Sequence, residues 1–180
     1  MNCTAPAKKM LMNNSLKLFL ASAFFLISNL SFAQDWTYPI TGKVYKLGKK
    51  EEKLEGAVVT LYKNGNQVQQ KITQKNGKYD FVLEPDNEYE VIYSKAGYVS
   101  KKITLNTKNV PTDRGKYGFS PQPIDIVLFE KPLKSEVSAK VESILSKPIG
   151  KFYYDPKQQD FGWEKLYTKS IQDDLNELEK

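Results

Sequence analysis

Between Gly42 and Leu105 the chain alternates apolar and polar residues in short runs that are separated by Gly, Asn, Asp and Pro. Successive side chains of a strand point to opposite faces, so runs of this kind are typical of antiparallel β-strands. Asn64-Gly65 predicts a type I′ hairpin turn, because both residue types tolerate positive φ, and Asn76-Gly77 predicts a second tight turn. The pattern therefore predicts a mainly β chain folded as a sandwich.

One face of each predicted strand supplies the predicted core. Its members are Val44, Val59, Leu61, Tyr79, Phe81, Val91, Ile103, Ile126 and Leu128. Lys101 and Lys102 are expected at the exposed end of their strand. Because burial of large apolar side chains supplies most of the stability of a small domain, we expect residues 38 to 130 to fold alone.

Four short motifs stand in a fixed order along this region. They are Gly42-Lys43-Val44, then Gly56-Ala57-Val58-Val59, then Gly77-Lys78-Tyr79-Asp80-Phe81 after Thr73, and finally Gly97-Tyr98. In this order they resemble the carboxypeptidase regulatory-like domain, a sandwich related to transthyretin. The resemblance covers about 90 residues if a strand from Pro123 to Glu130 closes the fold, a strand count typical of such sandwiches.

The resemblance implies a fold and a class of function. The fold is a seven-stranded antiparallel Greek-key sandwich over residues 34–131, followed by a C-terminal extension over residues 132–180 with an amphipathic helix. Members of this family are usually non-catalytic modules attached to enzymes, outer-membrane receptors or envelope proteins. A non-enzymatic binding or structural role is therefore expected.

The first 33 residues have the order of a secretory signal peptide. Lys8, Lys9 and Lys17 provide positive charge without any acid, Leu18 to Leu30 is nearly all apolar, and Ser31-Phe32-Ala33 ends on small residues. The apolar run is about 13 residues, whereas a membrane-spanning helix needs roughly 20. We therefore predict cleavage after Ala33, export, and no membrane span in the mature chain. A retained anchor is the alternative, and Met10 or Met12 are alternative starts.

The single cysteine, Cys3, precedes the apolar run and would be lost with the leader, so the mature chain would have neither disulfides nor a thiolate metal site. Exported proteins of this kind are common in the envelope of Gram-negative bacteria, as periplasmic, outer-membrane-associated or secreted proteins. The chain has 27 basic and 21 acidic residues; without the three leader lysines 24 basic residues remain, and the net charge is +3. Acids and bases also interleave, so no nucleic-acid partner is expected.

The residue types of most catalytic sites are missing. The chain has no His, which removes the commonest general base and metal ligand, and it has no phosphate-binding glycine loop. We therefore predict no enzyme, no cofactor and no metal. Glu84, Asp86, Glu88 and Glu90 alternate through a turn into a strand and leave calcium as an alternative, although such acids are more often solvated.

Two regions outside the regular pattern are candidates for function. Residues 106 to 122 form a long polar loop with the only arginine, Arg114, and are expected to be a surface excursion or a ligand loop. After Lys131, residues 135 to 146 predict a short helix, and Asp160 predicts the N-cap of a final helix of about 18 residues. An apolar stripe on that helix consists of Trp163, Leu166, Tyr167, Ile171, Leu175 and Leu178.

The extension also carries most of the aromatic residues that the core pattern does not use. The candidate interaction surface consists of Phe152, Tyr153, Tyr154, Phe161, Trp163 and Tyr167. Packing within the chain is the alternative for these side chains. Two functions are left open: a module that binds another envelope protein, and a carbohydrate- or small-ligand-binding module of the transthyretin-like type. A sugar site would need aromatic rings on an exposed face of the sandwich, and the tyrosines mostly alternate inward.

Overall fold

Strands that alternate buried and exposed residues build most of this chain. The computed structural model describes residues 36–48, 52–132 and 135–176. In these ranges the strands are β1 Tyr38–Lys46, β2 Glu52–Lys53, β3 Val58–Lys63, β4 Asn66–Ile72, β5 Lys78–Leu83, β6 Glu88–Ser94, β7 Lys101–Asn106, β8 Ile126–Leu128, β9 Lys151–Asp155 and β10 Asp160–Trp163. The helices are α1 Thr112–Lys116, α2 Ser135–Leu145 and α3 Lys165–Asn176. The predicted signal peptide lies outside the described residues.

The strands form two sheets. In the small sheet β1 pairs antiparallel with β2 and β5 and parallel with β8. The large sheet has six strands in the order β10-β9-β7-β6-β3-β4, and its one parallel pair is β7 with β9. The predicted fold class is confirmed: the chain is mainly β, with two sheets and a C-terminal helix. The described residues contain ten strands rather than seven, because β9 and β10 extend the large sheet and β2 is a further short strand.

The predicted core lies between the two sheets. All nine residues expected there are buried, and Val44, Val59, Leu61, Val91 and Leu128 are fully inaccessible to solvent. The burial of β5 alternates residue by residue, so Tyr79, Phe81 and Leu83 face inward while Lys78, Asp80 and Val82 face out. The alternation of apolar and polar residues in the sequence therefore predicted the buried face of β5 correctly.

The turn at Asn64-Gly65 joins β3 to β4 as predicted. Both residues have positive φ, 48° and 82°, which is the requirement of a type I′ turn. At the second turn only Gly77 has positive φ, 67°. An added Cβ on Gly77 would also lie 2.7 Å from the carbonyl oxygen of Val44, so this position needs glycine for its backbone and for its space.

The extension contributes directly to the sandwich. Phe152 and Phe161 are buried, and their rings lie 5.9 and 4.4 Å from the ring of Tyr38 in β1. The described residues belong to one compact unit. The division at residue 131, and the expectation that residues 38 to 130 fold alone, stay predictions. Since the extension covers Tyr38, we expect a chain without it to be less stable than the whole.

The predicted start of the final helix is wrong. Asp160–Trp163 is strand β10, paired antiparallel with β9, and the helix begins at Lys165. Pairing to β9 and burial of Phe161 outweigh the local helix signal of Asp160. Within the expected stripe Ile171 is buried and Leu175 packs beside Val141 and Leu145 of α2. Leu166 is 84% exposed, and Leu178 lies outside the described residues.

The expectation that Lys101 and Lys102 are exposed is also wrong. Lys101 lies opposite the buried Tyr93, so its side chain points toward the core, where its ammonium sits 5.1 Å from the ring centre of Phe129. Burial lowers the pKa of Lys101 to about 8, because the charged form is separated from water. Lys102 is half-buried on the opposite face and pairs with Glu90 at 3.0 Å.

The long loop is anchored to the sandwich. Val110 is buried, and the ring of Phe119 packs edge-on against Trp36 and Tyr38 at 5.3 and 5.9 Å. Arg114 donates from Nε to the carbonyl of Gln159 and from Nη1 to the carbonyl of Gly118. The only arginine of the chain therefore connects this loop to the β9–β10 hairpin, which argues for a structural role. No helix among the described residues has both the length and the apolar character to cross a bilayer.

Candidate binding surfaces of the large sheet

Half of the predicted aromatic interaction surface is in the core. Phe152, Tyr154 and Phe161 are 1%, 6% and 4% exposed. Because side chains alternate along β9, Phe152 and Tyr154 point inward and Tyr153, between them, points outward. The rings of Phe152 and Phe161 are stacked at 5.7 Å. These inward rings are held by contacts within the chain.

The other three side chains of the predicted surface lie nearer to solvent. Trp163 is half-buried and meets the ring of Phe152 edge-on at 5.0 Å. The hydroxyl of Tyr167 donates to the carbonyl of Pro148, and the Lys151 ammonium lies 4.0 Å from its ring centre. Tyr153 is 38% exposed, more than the other five. The predicted surface stays a prediction, and Tyr153 has the most exposed ring of the six.

Tyr153 lies at one end of a groove on the outer face of the large sheet. The groove has a volume of about 950 Å³ and crosses strands β3, β6, β7 and β9. The outward side chains along it include Tyr62, Glu90, Ile92, Thr104, Tyr153 and Glu164. Register explains the assembly: Tyr62 lies opposite Glu90, Glu90 opposite Thr104, and Thr104 opposite Lys151. Residues far apart in the chain thus form one row across the sheet.

Three acids and Lys151 line the groove, and each of these acids is paired with a lysine. Glu90 pairs with Lys102 at 3.0 Å, Glu88 with Lys108 at 2.8 Å, and Glu164 with Lys151 at 3.9 Å. The fourth acid nearby, Glu84, pairs with Lys63. Three of the four alternating acids on which the calcium alternative rested, Glu84, Glu88 and Glu90, are thus paired with lysines. Within the described residues no group of three or more acidic, His or Cys side chains is placed to hold a metal ion.

The free edge of β4 is a second surface of the same sheet. Six of its seven residues are exposed, and Val68 and Ile72 are apolar residues with 48% and 60% exposure. The register shifts between Leu61 and Tyr62 of β3, which leaves Val68 without a cross-strand partner. In the part of the chain that the structure describes, no strand pairs with the outer edge of β4.

Comparison with known proteins gives only distant matches. No protein-family model and no curated protein matches the chain, so the carboxypeptidase regulatory-like domain stays a prediction within the observed β-sandwich fold. Solved structures that match include 3-chlorocatechol 1,2-dioxygenase of Rhodococcus opacus, at 11% identity over 53% of this chain and 61% of that chain, with a TM-score of 0.37. A minor pilin of Streptococcus agalactiae matches at 14% identity over 56% and 47%, with a TM-score of 0.37.

CueP matches at 12% identity over 52% of this chain and 63% of that chain, with a TM-score of 0.32. The match thus spans about half to three fifths of the length of these proteins. Several of the matched chains are catechol dioxygenases, and this corrects the expectation that the chain is not an enzyme. At these TM-scores no activity is carried over to this chain.

Proposed function

We propose that this protein is an exported accessory module of the cell envelope that binds another envelope protein through the free edge of β4. The leader-like order of residues 1 to 33 supports export. The exposed edge strand carries the binding part of the proposal. An unpaired strand edge presents a row of backbone N–H and C=O groups, and proteins use such edges to accept an extended segment of a partner as an additional strand.

The backbone groups that would accept this strand are identified by the pairing of β4 with β3. Beyond the end of β4, the amide of Thr73 donates to the carbonyl of Ala57, and the amide of Gly56 donates to the carbonyl of Thr73. Because alternate residues of a strand bond to opposite sides, Gln70 and Ile72 direct their backbone groups to the free edge. A partner strand would therefore bond to Gln70 and Ile72.

One usual protection of such an edge, a row of charged side chains, is weak here, and the bulge at Val68 is the protection that β4 retains. Exposed edges are commonly guarded by lysines that point along the edge. Lys71 is the only charged residue of β4, and its ammonium pairs with Asp80 of the small sheet at 2.8 Å and lies 5.7 Å from the ring centre of Phe81. It is thus directed toward the other sheet. The exposed Val68 and Ile72 favour a partner segment with β-branched apolar residues.

We expect Ile72→Pro to abolish binding of the partner while the sandwich remains folded. Proline removes the amide that faces the free edge and leaves the β3–β4 bonds in place, because the Ile72 amide does not point toward β3. Ile72→Ala is the matched control for loss of the side chain, and Val82→Lys controls for a change on the outer face of the small sheet. Recovery of partners from native envelope by a cross-linker at Val68 gives the measurement.

Hydrogen exchange supplies the direct readout. The contact segment of the captured protein, as a synthetic peptide, should slow exchange of the Gln70 and Ile72 amides in the wild-type chain. Equal capture by wild type and Ile72→Pro, or protection at other strands without protection at β4, would contradict strand addition at this edge.

The expected mature protein begins at Gln34. The charged, apolar and small-residue segments of the leader stand in the order that signal peptidase requires. Intact-mass analysis of the protein from envelope fractions tests cleavage after Ala33. A mass that includes Met1, Met10 or Met12 would show that the leader is retained and would remove the argument for export by cleavage.

A further inference from the structure

We infer that the groove on the outer face of the large sheet is a binding site for an uncharged oligosaccharide. The site is separate from the free edge of β4 and its ligand belongs to another chemical class. Three features support the inference: two exposed or half-exposed tyrosines, free hydroxyl groups along the groove, and acids that are paired with lysines. Each of these three features is a property of the assembled sheet.

The two aromatic rings lie toward opposite sides of the groove. Tyr62 is on β3 and Tyr153 is on β9, and both side chains point out of the same face. Strands β6 and β7 lie between them, so three strand spacings of about 4.8 Å place the rings roughly 14 Å apart across the sheet. Such a span suits an elongated ligand that lies across the strands and contacts both rings.

The ring of Tyr153 has free space beside it. Its partner in the β9–β10 pair is Gly162, which lies on the same face. A Cβ added to Gly162 would find no atom within 4 Å. The absence of a side chain at this position thus leaves Tyr153 open to a ligand. Tyrosine combines a large apolar surface with a polar hydroxyl, as the apolar faces and hydroxyl groups of a sugar require.

The groove offers hydrogen-bonding groups that include three neutral hydroxyls and the carboxylate of Glu90. In the described part of the chain, no hydrogen bond engages the hydroxyls of Tyr62, Thr104 or Tyr153. Each of these hydroxyls both donates and accepts. The carboxylate of Glu90 lies in the same row as Tyr62 and Thr104. Such groups match the many hydroxyls of a saccharide.

The charge of the site excludes a strongly ionic ligand. Three acids of the groove region face three lysines in the pairs Glu88–Lys108, Glu90–Lys102 and Glu164–Lys151. A phosphate-rich ligand would find no excess of positive charge, and a cationic ligand would find no excess of negative charge. An uncharged, polar, elongated molecule is the class that the aromatic rings, hydroxyls and paired charges have in common.

Titration of the mature chain with a panel of short neutral glucans, xylans and mannans tests this inference, with amide chemical shifts as the readout. We expect at least one of these oligosaccharides to shift amides of β6, β7 and β9. Tyr62→Ala and Tyr153→Ala should each weaken binding about tenfold, an effect of the size of one lost aromatic contact. Gly162→Leu should fill the space beside Tyr153 and abolish binding with the melting temperature unchanged.

Tyr117→Ala is the matched control, since Tyr117 is 87% exposed on the long loop and outside the groove. It should leave oligosaccharide binding unchanged, and so should Ile72→Pro at the β4 edge. Because the ligand is uncharged, affinity should also be the same at low and high salt.

Three outcomes would overturn the inference. The first is that no oligosaccharide of the panel binds. The second is an equal loss of affinity in Tyr117→Ala and Tyr153→Ala. The third is that heparin, inorganic phosphate or a captured envelope protein, rather than a neutral sugar, shifts the groove amides.

Discussion

Gly42→Ala is expected to reduce the free energy of unfolding by about 3 kcal/mol, at the upper end of the cost of overpacking a core. A Cβ at this position would lie 2.0 Å from the carbonyl oxygen of Ile124, which is backbone and has no rotamer through which to move away. The segment before β8 runs parallel to β1 here, where the amide of Ile124 donates to the carbonyl of Thr41 at 2.8 Å. Displacement of this segment would also separate Ile124 from its second partner.

That second partner is a buried pair of tyrosines. The hydroxyl of Tyr79 donates to the carbonyl of Ile124 at 2.7 Å, so the hydroxyl of Tyr93, also 2.7 Å away, donates to Tyr79. Burial raises the pKa of both phenols, because the charged form would be desolvated. A shift of Ile124 would leave the Tyr79 donor unsatisfied inside the core, which adds to the cost of the clash.

Gly162→Ala is the matched control for Gly42→Ala. Both glycines lie in strands with ordinary backbone φ, but a Cβ at Gly162 meets open space. We expect Gly162→Ala to change the free energy of unfolding by less than about 0.5 kcal/mol, or to stabilise the chain slightly. Chemical denaturation of both variants measures their free energies of unfolding. A loss in Gly42→Ala alone would show that the close contact with Ile124 is the cause, and not a general cost of alanine in strands. Equal effects of the two substitutions would contradict the close approach.

Phe81→Ala should destabilise the sandwich by about 3–5 kcal/mol, the range for removal of a buried phenylalanine. Phe81 is 2% exposed in the middle of β5, opposite Ile40 of β1, with the ring of Tyr79 at 6.0 Å. Truncation leaves a cavity between the two sheets that the paired strands hold open. The midpoint of urea denaturation, measured with the slope of the transition, gives the change in stability.

Val82→Ala is the neighbouring control. Val82 follows Phe81 in β5 but points to the other face and is 54% exposed. Its truncation should cost less than about 0.5 kcal/mol, because little apolar surface is buried there. A midpoint for Phe81→Ala that does not differ from wild type would show that the assigned core face of β5 is wrong.

Local sequence predicted those parts of the fold that depend on neighbours in the chain. The alternation of Tyr79, Phe81 and Leu83 with charged or exposed residues fixed the inner face of β5. The Asn64-Gly65 turn, with positive φ at both residues, set the β3–β4 hairpin. The helix α2, predicted over residues 135 to 146, spans Ser135–Leu145. In each case the deciding interactions lie within a few residues of one another, so the local sequence pattern is enough to predict the structure.

Pairing between distant strands outweighed the local sequence signals at Asp160 and Lys101. Asp160 has the character of a helix N-cap, yet Asp160–Trp163 is a strand because β9 lies beside it and Phe161 packs on Tyr38. Likewise Lys101 was expected at an exposed strand end, but the register with Tyr93 turns its side chain toward the core. Neither partner is near in sequence, and no periodicity within the segment indicates which strand will be adjacent.

The sequence by itself determined the mainly β class, the faces of the central strands and the hairpin turn, because these follow from side-chain alternation and backbone preference within one segment. Only the tertiary structure decided which outward residues lie on one surface. Tyr62 and Tyr153 are 91 positions apart, and they share a face because β9 adds in parallel to β7. The free edge of β4 is also a result of the tertiary structure, since the order of all strands in the sheet determines which strand lies at its edge. Pairing between distant strands is governed by the packing of the whole core, and this is why the candidate sites emerge from the fold and not from a motif.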